Sequence, residues 1–279
     1  MKRLNDRWSE IRSAARSADP FDRTFALSAA VTCIEVALAA LRIERRDREG
    51  VQSRLRRWAE QTAKTEFTRG EYFEAFEARN AAVHRHVAAE PKICQEHVSA
   101  LSDVWRAMRR AYVTRENAAT VAKAILDANV VTDVFLFGSL ARRKSEPKDI
   151  DLLFFDRGDV STLNWHGYSS ADFLLEDELF GSSSHWRAAL ECGWLDYVFV
   201  DGTRFGEDRA YTLSLCQSQR DPLFMINISD ILLTYDRHSG GWVDRRPQVF
   251  QRLANLRRLL ETENVIGDFQ RRKGRLTSR

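Results

Sequence analysis

Residues 134–155 read VFLFGSLARRKSEPKDIDLLFF. An apolar run stops at Gly138-Ser139, a basic loop of nine residues follows, and Asp149 and Asp151 stand two apart where a second apolar run begins. Short apolar runs bounded by turn residues are strand-like, and Gly-Ser marks the turn. On a strand the side-chain period is two, so Asp149 and Asp151 point to one face while Ile150 and Leu152 point into the core. Two carboxylates side by side destabilise each other unless a cation lies between them. Magnesium accepts one or two such carboxylates together with phosphate oxygens. Gly138 lets the backbone approach a phosphate closely. Ser139 and the amides after it can bind phosphate oxygens, and Arg142, Arg143, Lys144 and Lys148 add positive charge. Asp-x-Asp alone is common at strand ends and Gly-Ser alone is a turn. The combination is specific, and it suits a nucleoside triphosphate with magnesium or manganese.

The rhythm differs on the two sides of this stretch. Residues 1–113 read as helix throughout, with a start at Asp19-Pro20 or Asp22 for a helix over 25–41 and breaks at Gly50 and Gly70. Phe73, Phe76, Asn80, Val83 and Val87 recur at helical spacing within 71–89, and Pro91 is expected to end that helix. Val98, Leu101, Val104 or Trp105, and Met108 mark the inner face of a last helix over 93–112. A bundle of four to five helices follows from these spacings. Beyond about residue 115, a helix over 117–128 leads to strands at 131–137, 149–155 and 195–200, with a fourth at 231–235 and helices at 204–217 and 247–263. The expected fold is α + α/β: a helical domain over 1–114, a small mixed-sheet domain over 115–245, and a C-terminal helix with a basic tail over 246–279.

Composition bounds the function classes. A hydrophobic share of 44% and a charged share of 30% describe a soluble folded chain. The four cysteines are far apart with no CxxC pair, which speaks against a zinc site and for a reducing, cytoplasmic setting. The first residues, MKRLNDRWSEIRSAARSAD, lack the apolar segment of a signal peptide. The stretch FALSAAVTCIEVALAAL at 25–41 is long enough for a membrane span, but Glu35 and its alanines fit a buried helix, so no membrane partner is expected. Arg271, Arg272, Lys273, Arg275 and Arg279 crowd the end against Asp268, a composition suited to a nucleic-acid backbone or to a solvated terminus.

FGSLARRKSEPKDIDLLFF resembles the signature of the minimal members of the DNA polymerase β-like nucleotidyltransferase superfamily: an apolar residue, Gly-Ser, a spacer and Asp-x-Asp. The resemblance spans about residues 118–240. It implies catalytic and metal-binding roles for Asp149 and Asp151, nucleotide contacts for Gly138, Ser139, Arg142 and Lys148, and a third carboxylate on a later strand. Asp196 in GWLDYVFVD is the match for that third acid; Asp201 is the fallback and fits a turn better. The implied reaction is transfer of a nucleoside monophosphate, AMP from ATP or its equivalent from another triphosphate, with Mg²⁺ or Mn²⁺.

In the helical half, FEARNAAVHRHV places Asn80 and His84 four apart on one helix face, with Arg79 long enough to reach round. Histidine with arginine can cleave RNA without metal, by proton transfer and by charge stabilisation on phosphate. The segment resembles the R-N-x-x-x-H motif of HEPN domains, over about residues 20–113. HEPN and minimal nucleotidyltransferase domains occur as paired and fused toxin–antitoxin partners. The resemblance implies an endoribonuclease role for Arg79 and His84, with Asn80 orienting them, and a homodimer through this half. The paired systems carry an adenylylated tyrosine two residues after the histidine; here that position is His86, which leaves another hydroxyl such as Tyr72 or Tyr112, or a separate protein or RNA, as acceptor. His86 can alternatively assist His84.

Three functions therefore stand after the sequence. The first is a fused HEPN–nucleotidyltransferase in toxin–antitoxin or phage defence. The second is a small-molecule nucleotidyltransferase of the aminoglycoside-modifying type, although in those enzymes the helical domain follows the catalytic one. The third is a non-catalytic nucleotide-binding or dimerisation protein.

Overall fold

A computed structural model describes residues 3–129, 131–156, 184–204, 207–211, 233–244, 258 and 262. In chain order its elements begin with α1 (Leu4–Ala14), α2 (Pro20–Ala40), α3 (Val51–Gln61), a 3-10 turn at Thr65–Thr68, α4 (Gly70–His84), α5 (Pro91–Tyr112) and α6 (Arg115–Asp127). There follow β1 (Val131–Phe137), the one-turn α7 (Gly138–Ala141), β2 (Ile150–Asp156), α8 (Ser184–Cys192), β3 (Leu195–Asp201), β4 (Leu233–Asp236) and β5 (Gly241–Asp244). The chain divides into two units, Met1–Val113 with Ser183–Leu195, and Thr114–Ser182 with Asp196–Arg279.

The helical unit is built around α2. Asp19 caps it by accepting the Phe21 amide at 2.8 Å, and Pro20 takes the first helical position, where its missing N–H costs nothing. Ala26, Leu27, Ala30, Ile34, Ala37 and Leu38 are all fully buried, because α1, α3, α4, α5 and α8 pack around the helix. Its length and hydropathy match a membrane span, yet 56% of the apolar window is buried within the protein, as in a core helix. Glu35 faces Arg54 at 3.8 Å, and the buried Arg54 guanidinium donates twice to the Ile43 carbonyl. Arg42 ends the helix in the left-handed conformation, φ 60°, with the Ile43 amide returning to Leu38.

Two expectations for this unit change. The helix expected over 71–89 stops at His84. Beyond it His86 turns left-handed, φ 56°, and the Val87 amide returns to Ala81. Beyond that local cap, buried Arg23 on α2 donates its Nε–H to Ala89 and its Nη1–H to Ser17 and Ala18, which fixes the loop. Pro91, expected to terminate α4, instead begins α5. The buried positions of α4 are Ala75, Phe76 and Ala82, so Asn80 and Val87 lie outside the packed stripe. On α5 the stripe is as read, with Val98, Leu101, Val104, Trp105 and Met108 buried.

The block expected over 115–245 is interrupted. Helix α8 packs on α2, and Trp194 after it is fully buried, with its ring 4.7 Å from Trp105 and 5.8 Å from Tyr112. Trp105 also meets Trp8 at 5.8 Å, so a run of stacked aromatics ties α1, α5 and the end of α8. The helical core thus takes its last apolar side chains from residues that follow β2.

The second unit carries a five-stranded sheet in the order β3-β2-β1-β4-β5. Strand β1 pairs antiparallel with both β2 and β4, and β4 with β5. Apolar residues fill both faces at the centre: Val134, Phe135, Leu136, Leu152, Leu153 and Phe154 are completely buried. Helix α6 packs along β1, β4 and β5, started by Thr114, whose hydroxyl accepts the Asn117 amide at 3.1 Å. Strand β4 overlaps the strand expected at 231–235, whereas β5 has no counterpart in the sequence reading. Of the expected helices at 204–217 and 247–263, and of the expected 246–279 region, nearly all lies outside the described residues.

Candidate functional site

The sheet brings the two halves of the opening motif together. Phe137 pairs with Asp151, so the end of β1 and the start of β2 are adjacent. Gly138 then adopts φ +72°, a conformation that L side chains rarely take. A Cβ on Gly138 would lie 1.9 Å from Oδ2 of Asp151, 2.8 Å from its Cγ and 3.2 Å from its Cβ. The Asp151 carboxylate therefore lies directly over the bare Cα of Gly138. Two independent constraints, one of backbone angle and one of space, require glycine here.

The turn after Gly138 is held from within. The amides of Arg142, Arg143 and Lys144 bond the carbonyls of Gly138, Leu140 and Ser139. Ser139 Oγ accepts the backbone N–H of Lys148 at 3.3 Å, which returns the basic loop to the turn. Arg143 is left-handed, φ 53°, the position that closes a short helix. Gly138, Ser139, Asp149 and Asp151 are half-buried, whereas Arg142 and Lys148 are exposed beside them. Asp149 is the residue just before β2, not its first member. The strict alternation of a strand thus applies to Asp151, while Asp149 stands at the strand's entry.

Asp196 is the second residue of β3, next to β2. The rings of Phe154 and Tyr197 lie 5.8 Å apart, so those two share a sheet face. Alternation then puts Asp151 and Asp196 together on the other face. The Asp196 carboxylate accepts the Tyr197 amide at 2.9 Å. Among the described residues no three His, Cys, Asp or Glu side chains gather closely enough to hold a metal ion, so Asp196 is on the right face without joining Asp149 and Asp151 in one cluster. Asp201, the fallback, is buried and accepts the Thr203 amide and hydroxyl and the Arg204 amide, which is the work of a turn residue.

One further group touches the turn. Arg115, the first residue of α6, donates Nη2–H to the Ala141 carbonyl at 2.8 Å. Its own carbonyl accepts the Trp242 indole N–H from β5 at 3.0 Å. Burial, and then the charge of Arg143, hold the Arg115 guanidinium below its ordinary pKa. The sequence carried one signal for Arg115: a cation in the first turn of a helix opposes the helix dipole and calls for another reason to be there.

In the helical unit, Arg79 does reach round its helix: Nη1 donates to Oδ1 of Asn80 at 3.0 Å. Its Nε is buried without a hydrogen-bond partner. Asn80 and His84 are exposed, with His84 the last residue of α4. His86 is exposed beyond the helix end and so leaves the face that Asn80 and His84 share. Of the alternative hydroxyls, Tyr112 is only 5% exposed, and burial raises its pKa. Tyr72 is half-buried, edge-on to Phe67 at 5.2 Å, and its phenol is raised first by burial and then by Glu71 and Asp103.

Comparison of the chain with protein-family models, with curated proteins and with solved structures found no match.

Proposed function

We propose that this protein is a metal-dependent nucleotidyltransferase whose site is the Gly138–Ala141 turn with Asp149 and Asp151. The observation that carries the proposal is the Asp151 carboxylate seated over Gly138, where nothing larger than hydrogen fits. That arrangement sets an acid directly against the backbone of the Gly-Ser turn. Hard carboxylate oxygens of Asp149 and Asp151 suit Mg²⁺ or Mn²⁺, which when bound offsets the charge of the triphosphate. Asp196, on the same sheet face but not clustered with them, is the candidate for the third acid.

The chain's own groups have defined tasks in this scheme. The turn amides and Ser139 hold phosphate oxygens. Arg142 and Lys148, exposed at the edge, draw the polyanion in. A hydroxyl oxygen of the acceptor forms a bond to the α-phosphorus, the α–β bridging bond breaks, pyrophosphate leaves, and a carboxylate or water takes the hydroxyl proton.

The acceptor in this scheme is a protein or an RNA, and the helical unit is a HEPN-like endoribonuclease that dimerises. Support comes from the Arg79–Asn80 bond, which turns the guanidinium toward Asn80, and from His84 exposed at the end of the same helix. The setting would be toxin–antitoxin or phage defence in the cytoplasm.

Intact mass spectrometry after incubation with each ribonucleoside triphosphate and magnesium tests the transferase. A nucleotidyl mass gain on the chain, on added RNA or on a partner, lost in Asp149→Ala and Asp151→Ala, is the expected result. No modification of any of the three would refute it. The RNase claim is abandoned if wild type and His84→Ala cleave RNA equally.

A further inference from the structure

We propose that Arg115 is a positioning residue for the nucleotide site: it fixes the Gly138–Ala141 turn from behind and acts on a bound triphosphate only through that turn. The proposal rests on the nucleotidyltransferase reading of the same site.

The argument begins with the hydrogen bonds of a one-turn helix. Helix α7 has only Gly138, Ser139, Leu140 and Ala141. The first three carbonyls are taken by the amides of Arg142, Lys144 and Arg143. The Ala141 carbonyl is met by the Arg115 side chain at 2.8 Å. The whole turn therefore has its acceptors engaged, the last of them by a charged donor, which is a stronger partner than a neutral one. With its carbonyls held, the turn's amides keep one direction.

Arg115 is itself fixed. Thr114 supplies the cap of α6, so Arg115 is not needed to start the helix. Its position in the first turn opposes the helix dipole. Trp242 Nε1–H bonds its carbonyl at 3.0 Å, and Trp242 stands edge-on to Tyr235 with ring centroids 5.6 Å apart. Tyr235 and Trp242 face each other across the β4–β5 ladder. A continuous path thus runs from the β4–β5 hairpin through Arg115 to the turn. The half-buried guanidinium also brings a positive charge to the turn itself.

Calorimetry with magnesium-ATP, -GTP, -CTP and -UTP on the full chain tests this. Arg115→Met keeps length and removes the donor; the dissociation constant is expected to rise about tenfold, the scale of one charge-assisted hydrogen bond, with stoichiometry unchanged. Arg115→Lys, with a compact ammonium in place of the planar fork, restores part of the affinity, and Trp242→Phe weakens binding in the same direction by less. Because Arg115 acts through the turn, Arg115→Met combined with Ser139→Ala loses less than the product of the two single losses. The proposal is overturned if Arg115→Met and Trp242→Phe bind like wild type while Asp151→Asn does not. It is equally overturned if the double variant shows a simple product, or if stoichiometry falls at constant affinity, which is loss of fold. Failure of wild type to bind any of the triphosphates removes the nucleotidyltransferase reading itself, a result distinct from the others.

Discussion

Replacing Gly138 by alanine separates two costs that the structure lets one compute apart. Any L residue at φ +72° pays about 1–2 kcal/mol for the left-handed conformation. Alanine regains about 0.4–1 kcal/mol of that by stiffening the unfolded chain. Gly240 supplies the control: it has φ +67° and nothing within 4 Å of a built Cβ. Gly240→Ala should therefore cost about 1 kcal/mol or less and change nothing at the site. Gly138→Ala meets the same backbone cost, and its Cβ also strikes Oδ2 and Cγ of Asp151 at 1.9 and 2.8 Å. Rotation of the terminal oxygens does not relieve a contact to Cγ. The side chain must leave its rotamer or the turn must shift, an additional cost of about 1–2 kcal/mol.

The measurable consequence is a pair of differences. Denaturant unfolding should show Gly138→Ala less stable than Gly240→Ala by about 1–2 kcal/mol. Magnesium-ATP binding should be lost in Gly138→Ala and intact in Gly240→Ala, because only the former displaces the carboxylate. Adding Asp151→Ala to Gly138→Ala should recover part of the stability, since the colliding group is gone, and recover none of the binding. Equal destabilisation at the two glycines, or normal binding by Gly138→Ala, would refute the claim that Asp151 and Gly138 share that space.

Ala63 closes α3 at φ 53° and is exposed, so Ala63→Gly should stabilise the protein by about 0.5 kcal/mol, against the usual penalty for glycine, as read by chemical denaturation. Burial holds His97 and His185 below the ordinary value of 6.5, and Arg42 adds to the effect at His185. Arg42 can only donate, so its 3.1 Å bond to His185 Nε2 requires a neutral ring. Depressed histidine pKa values mean that the unfolded chain binds protons first, so stability is complete above about pH 6.5 and declines as pH falls below it; unfolding of a His97→Gln, His185→Gln double variant should show a flatter pH profile. Burial pushes the Cys33 thiol up to about 12 and also raises Cys94 and Cys192, so an aromatic disulfide reagent at mildly alkaline pH should reach these three only on unfolding. Trp194→Ala removes a fully buried ring from the Trp105–Tyr112 stack and should cost about 3–5 kcal/mol, read as early loss of the helical signal.

What the sequence disclosed and what it withheld divide along one physical line. Features whose cause is local were legible. Alternating and apolar runs placed β1, β2 and β3 to within a residue, and the inner stripe of α5 was read correctly, because period and burial are written in neighbouring residues. Gly138 was legible as a turn glycine, though not as the seat of Asp151, which is a contact between two strands. The misread features have distant causes. An amphipathic segment such as α8 shows an apolar face but not which core will take it, and this one joined α2 rather than the sheet that flanks it in sequence. The 71–89 helix keeps its apolar period to Val87, yet it ends at His84, and the loop beyond is held by Arg23, more than sixty positions away, through the carbonyl of Ala89.

The candidate site follows the same rule. Its acids and glycine announce themselves by spacing, and its support does not. Arg115 and Trp242 lie 127 positions apart and become a pair only when α6 crosses β5. Trp242 belongs to a four-residue strand with two half-buried and two exposed positions, too short and too wet to show a period. A site of this kind has residues that react, recognisable by type, and residues that hold those in place, recognisable only by contact. The contrast with the helical motif is informative. Arg79, Asn80 and His84 lie on one helix within six positions, so their arrangement needs no tertiary partner to form, and Arg79 finds Asn80 within the helix itself.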